Sequence, residues 1–178
     1  MRREAELGWG ACKDGNDLHW GHFKINWDVA IDIQSNCMGF GVIIRDHNSV
    51  VCAAKSVKIY RAFEPVIGEA MAAMVEVKFS KEREIQDVIL EGDSMQVVQA
   101  LQDRNPSWRT YGHIIDDTRV FLGTCRSWTV HHVKRDANRA AHGLAKGGLG
   151  LATEHQWIDE LPECISAIVY SELNAPLV

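Results

Sequence analysis

The stretch KINWDVAIDI, residues 24–33, alternates strictly: Ile25, Trp27, Val29, Ile31 and Ile33 fall on one parity, and Lys24, Asn26, Asp28, Ala30 and Asp32 on the other. This period of two predicts a strand with one buried face, and it sets Asp28 mid-strand on the polar side. A carboxylate there is costly unless water, a cation or a hydrogen-bond donor satisfies it. Downstream, GFGVIIRD (39–46) and VVCAAKSVKIY (50–60) are apolar, β-branched runs joined by the polar residues Asp46, His47, Asn48 and Ser49, which predicts a hairpin. Three antiparallel strands therefore open the domain.

Val66 to about Lys81 is rich in Ala and Met and has no Gly or Pro after Gly68, so it predicts a helix that Pro65 enters. DVILEGD (87–93) reads as a short strand closed by Gly92 and Asp93. SMQVVQALQD (94–103) reads as a helix behind a Ser94 cap. Residues 110–122 supply a further helix, SWTVHHV (127–133) a strand, and DANRAAHGLAKGGL (136–149) a helix ended by Gly147 and Gly148. The order βββαβααβα points to an α/β sheet with an antiparallel edge and helices on its faces. Weaker periodicity in the flanks divides the chain into a lead segment (1–23), a domain (24–150) and a tail segment (151–178), with no repeat or low-complexity run.

Composition excludes several classes. The 178 residues suffice for one core, and 46% hydrophobic with 24% charged residues is ordinary for a globular domain. The start MRREAELGWG lacks an apolar signal core and no run approaches a membrane span, so the expectation is an intracellular protein of cytoplasm or nucleus, not a secreted one. Five scattered cysteines without a C-x-x-C pair fit small buried thiols in a reducing compartment. A net charge of −5 argues against a strong nonspecific grip on nucleic acid, so any polyanion contact must be local or bridged by metal. GFGVII lacks the G-x-G-x-x-G spacing of a dinucleotide binder.

Three carboxylates sit where strand and helix ends can bring them together: Asp28, Glu69 in the first turn of its helix, and Asp93 at the C-terminal end of a strand. Oxygen-rich clusters of this kind bind hard divalent cations. Taken singly, Glu69 equally fits a dipole-stabilising surface residue, Asp93 a turn or cap residue, and Asp28 an exposed strand residue. Near the last helix stand Lys134, Arg135 and Arg139, which suit a phosphate backbone or a solvated face. Trp27 and Trp128 have core parity, and the other tryptophans, Trp9, Trp20, Trp108 and Trp157, are candidates for base stacking.

As an ordered set, KINWDVA, GFGVIIRD, GEAMAA, VILEGDSMQVVQAL and VHHVKRDANRAAHGLA resemble the ribonuclease H-like domain of plants and non-LTR retrotransposon polyproteins, from about Lys24 to Gly148. WIDELPECI is similar to the segment that ends such domains. The resemblance implies a five-stranded mixed sheet of order 3-2-1-4-5 that hydrolyses the RNA strand of RNA/DNA hybrids. It also implies two Mg2+ ions, with Mn2+ as a substitute, held by Asp28, Glu69 and Asp93, with Asp28 bridging them.

The chain departs from the family pattern at one place. Four residues after Asn138, where the family's nuclease pattern has a fourth aspartate, stands His142, a poor ligand for magnesium though one able to bind manganese or zinc. Asp136 reads as a helix cap and not as a replacement ligand, and a zinc site drawn from His131, His132, His142 and Cys125 is the weaker alternative. Two expectations follow. In one, Asp28, Glu69, Asp93 and His142 form a catalytic site. In the other, the domain is an impaired nucleic-acid- or protein-binding relic of the same fold.

Overall fold

The computed structural model describes residues 21–103, 105 and 109–174; most of the lead segment, with Trp9, Trp20 and Cys12, and also Trp108, lies outside the described residues. The elements run β1 (Phe23–Asp32), β2 (Cys37–Arg45), β3 (Val51–Ile59), α1 (Pro65–Glu82), β4 (Asp87–Gly92), α2 (Met95–Gln102), α3 (Gly112–Leu122), β5 (Ser127–His132), α4 (Arg139–Gly148), β6 (Glu154–Ile158) and α5 (Glu163–Leu173). They build a six-stranded sheet of order β5-β4-β1-β2-β3-β6. The order 3-2-1-4-5 is present within it, and β6 adds a strand beyond β3. Periodicity in residues 151–173 was too weak to show that strand or α5, because β6 is short and its residues are largely exposed.

β1 pairs antiparallel with β2 and parallel with β4. The β2–β3 turn forms where the sequence expects it: Asp46 accepts backbone N–H groups of Asn48 at 2.9 Å and Val50 at 2.8 Å, and Ser49 takes the left-handed conformation at φ 65°. One sheet face packs Ile25, Trp27 and Val29 against α1, α2 and α3. The opposite face is also covered, so β1 is buried on both sides. α4 and α5 lie over Ile43, Val51 and Ala54, and Asn26, Asp28 and Ala30 are buried beside them. Strict alternation therefore overstated the polarity of the second face. Ile33, which shares the core parity, lies past the strand end and is 83% exposed.

α4 approaches β2 at backbone distance because residues 39 and 41 carry no side chain. A Cβ at Gly39 would collide with the Ala145 carbonyl oxygen, and one at Gly41 with those of Ala141 and the Ala145 nitrogen. α4 ends at Gly148 as expected, with Leu149 as its C-cap in a right-handed conformation. One expected helix signal is corrected. Asp136 belongs to a 3-10 turn (Arg135–Ala137), and Asn138 occupies the N-cap position. Ser94 does precede α2, but its side chain makes no capping hydrogen bond. Cys37 and Cys52 are buried as expected, whereas Cys125 is half-buried and Cys164 exposed.

α5 is fastened to the sheet by Arg45, whose Nη2 lies 2.7 Å from Glu172 Oε2 while its Nη1 donates to Asn26 Oδ1 at 3.3 Å. Within the core, Glu76 on α1 is fully buried, and neither carboxyl oxygen has a hydrogen-bond partner among the described residues. Burial first, and Glu91 second, push its pKa well above the ordinary value.

Two outcomes follow from this packing. Gly41→Ala must displace α4 backbone and should cost at least about 2 kcal/mol in urea unfolding. A raised acid pKa means stability that is whole below the ordinary carboxyl pKa and lost as pH rises toward the raised one. The parent should thus weaken from pH 5 to pH 8, and Glu76→Met should flatten that slope and add about 1–3 kcal/mol at pH 8, read from the same unfolding curves.

Candidate metal centre and nucleic-acid cleft

Parallel pairing of β1 with β4 places the C-terminal end of β4 beside the middle of β1, and α1 begins over the same edge. Asp28, Glu69 and Asp93 converge there: each offers a ligand atom, and these atoms lie within 4.8 Å of one another. Among the described residues no other cluster of three or more such groups forms, so His131, His132 and Cys125 do not assemble a zinc site. His131 and His132 are both exposed, and His132 Nε2 lies 3.2 Å from the Asp93 carbonyl oxygen.

The cluster is electrostatically loaded. Asp28 is fully buried and Glu69 is 9% exposed. Burial foremost, then the carboxylates of Asp28 and Asp93, hold Glu69 at a pKa of about 9. Burial, followed by Asp93, also raises Asp28. Glu69 Oε2 is buried without a hydrogen-bond partner among the described residues. An orphaned acceptor, two more carboxylates and an all-oxygen donor set fit a hard divalent cation.

His142 reaches this centre from α4. Asn138 Nδ2 donates to the Trp27 carbonyl oxygen at 2.7 Å, which pins the start of the helix to β1 one residue before Asp28. One turn later, His142 Nδ1 lies 2.8 Å from Asp28 Oδ2. Asn138 served in the sequence only as a reference position; its anchoring role has no periodic signature, since it depends on a contact 111 residues away.

A cleft of about 590 Å3 opens beside the carboxylates, lined by Glu69, Asp93, Gln96, His132, Lys134 and Arg135 among others. Lys134 and Arg135 thus share the site's mouth, and Arg135 Nε lies 3.3 Å from Asp93 Oδ2. Arg139 is exposed on α4 and does not line the cleft. Trp27 is fully buried and Trp128 half-buried; Trp157 packs on His155 with ring centroids 4.4 Å apart. Gln96 carried no sequence signal of its own, and His132 only that of a zinc candidate, because the cleft is defined by the α2 and β5 ends meeting across chain-distant segments.

Residues 26–148, from β1 through α4, match the family described as reverse transcriptase-like. The chain belongs to the reverse transcriptase-like family. A relative from Arabidopsis thaliana, provisionally named a ribonuclease H protein, is 27% identical over 84% of this chain, and the chain spans 24% of that relative's length. RNase H1 from the halophilic archaeon Halobacterium salinarum superposes with a TM-score of 0.62 at 23% identity, covering 72% of this chain and 98% of that one. LC11-RNase H1, solved in complex with an RNA/DNA hybrid, gives 0.63 at 16% identity over 71% of this chain and 96% of that one. The reverse transcriptase-like domain therefore has the ribonuclease H-like fold, with β6 as an extra strand.

Because Asp93 raises both of its neighbours, Asp93→Asn should stabilise the chain in chelator at pH 8. The melting temperature should rise by a few °C, the response to about 1 kcal/mol in a domain of this size, measured by circular dichroism.

Proposed function

We propose that this domain is a metal-dependent nuclease that hydrolyses the RNA strand of RNA/DNA hybrids, with Asp28, Glu69 and Asp93 as its metal ligands. The observation that carries the reading is the convergence of three carboxylates, one with an orphaned buried oxygen, at the mouth of a cleft edged by cations. Magnesium bound at such a centre supplies a water of lowered pKa and charge stabilisation at the scissile phosphate. The chain's own residues do the rest. Glu69 would hold the cation as a carboxylate, giving up the proton that burial otherwise favours, Asp28 is held fully buried, and Lys134 and Arg135 would receive phosphate oxygens at the cleft. Hybrid binding by LC11-RNase H1, which shares the fold, supports the substrate class.

No helix among the described residues is long and apolar enough to cross a membrane. The free thiols of Cys37, Cys125 and Cys164 support placement in a reducing compartment, cytoplasm or nucleus. The family supports origin as the ribonuclease H-like unit of a plant retrotransposon polyprotein.

A second reading is favoured by two contacts: Arg135 on Asp93 and His142 on Asp28 partly compensate the acidic cluster with the protein's own groups. Such a domain could bind nucleic acid with little turnover. The two readings separate in one assay, cleavage of a labelled RNA/DNA hybrid with Mg2+ and separately with Mn2+. The nuclease cuts, and Asp93→Asn lowers the rate at least about 100-fold while remaining folded. Absence of cleavage with either metal from folded parent protein leaves the binding domain.

A further inference from the structure

The imidazole at the fourth position is already engaged. Asp28 Oδ2 lies 2.8 Å from His142 Nδ1, and Asp28 Oδ1 accepts the Val29 backbone N–H at 2.7 Å. Both oxygens of a fully buried carboxylate are thus oriented by the protein itself. His142 is absent from the group whose ligand atoms lie mutually within 4.8 Å, which consists of Asp28, Glu69 and Asp93. Glu69 Oε2, buried and without a partner among the described residues, is the acceptor that an ion would satisfy.

A carboxylate that binds a cation is ionised, and an ionised carboxylate only accepts hydrogen bonds, so the hydrogen shared with His142 belongs to Nδ1. A ring nitrogen that carries hydrogen has no lone pair for a metal, and Nε2 lies on the other edge of the ring. Aspartate at this position would add anionic oxygens; histidine donates to one that is already present. Two divalent cations roughly 4 Å apart repel strongly and need anionic ligands on both sides. Three carboxylates grouped at one point supply a single such set.

We infer that this centre takes one divalent cation, not two, and that His142 is a positioning residue that aims Asp28 at it through Nδ1–H. The inference rests on reading the three carboxylates as a divalent-cation centre. It adds the stoichiometry of that centre and the role of its imidazole.

The test is titration of the full 178-residue chain with Mn2+ by calorimetry, with free Mn2+ counted by electron paramagnetic resonance. The parent binds one ion per chain. His142→Ala still binds one, about 10–100-fold more weakly, and His142→Asn, whose side-chain amide can donate in place of Nδ1, recovers most of that loss. His142→Asp binds two. Since His142 is partly exposed, the variants should fold, and circular dichroism checks this. Two ions in the parent would overturn the inference and leave the proposed function standing. So would a His142→Asp variant that stays at one ion, while unchanged affinity in His142→Ala or no recovery in His142→Asn would remove the positioning role. A folded parent that binds no Mn2+ would sink both the inference and the metal-dependent reading.

Discussion

The close approach of α4 to β2 is the constraint on which the rest of the molecule depends. It requires Gly39 and Gly41, since a methyl group at either would strike helix backbone. With the helix that near, Asn138 reaches the Trp27 carbonyl, Ser56 Oγ donates to the Leu144 carbonyl at 2.9 Å, and His142 arrives over Asp28. Moving the helix outward by the width of one side chain would lengthen every one of these contacts. Packing of a small-residue seam thus sets the geometry of a polar site on the same face.

The site itself runs against the stability of the fold. Carboxylates gathered in a place of low solvent access repel one another and lose hydration, which is why Asp28 and Glu69 hold protons more tightly than usual. A folded chain tolerates this only because the hydrophobic clusters on both faces of the sheet supply the stabilisation elsewhere. Strain of this kind concentrates where function is concentrated.

Much of the architecture was legible because it is written in short-range patterns. The alternation from Ile25 to Ile31, the Asp46–Ser49 turn and the Ala-rich α1 each declare their element within a few residues. The three carboxylates were legible as candidates for a related reason: Asp28 sits mid-strand, Asp93 directly after a strand end, and Glu69 near a helix start, although α1 begins at Pro65 and so puts Glu69 just past the first turn and not in it as expected. What escaped depends on distant partners. Burial of the second face of β1 needs α4, the integration of β6 needs β3, and the pairing of His142 with Asp28 spans 114 residues. One helix end carried a second role that the sequence does not show: Gly148 closes α4 as expected, and it is also buried close against the Val57 carbonyl oxygen and Gly39, so its lack of a side chain serves helix–sheet contact.

The strand β6 changes which edge of the sheet meets its surroundings. Without it, β3 would present an unpaired row of backbone groups from Ala53 to Val57, open to pairing with another chain. With it, five residues of β3 are paired, and Lys55 is enclosed, its Nζ 3.2 Å from Glu154 and 5.6 Å from the centre of the Phe79 ring. The strand now at the border is short and largely exposed, with Glu154, His155 and Gln156 facing solvent. The segment after α4 therefore moves this border of the sheet from a nine-residue, largely buried strand to a five-residue, polar one, a poorer template for edge-to-edge association.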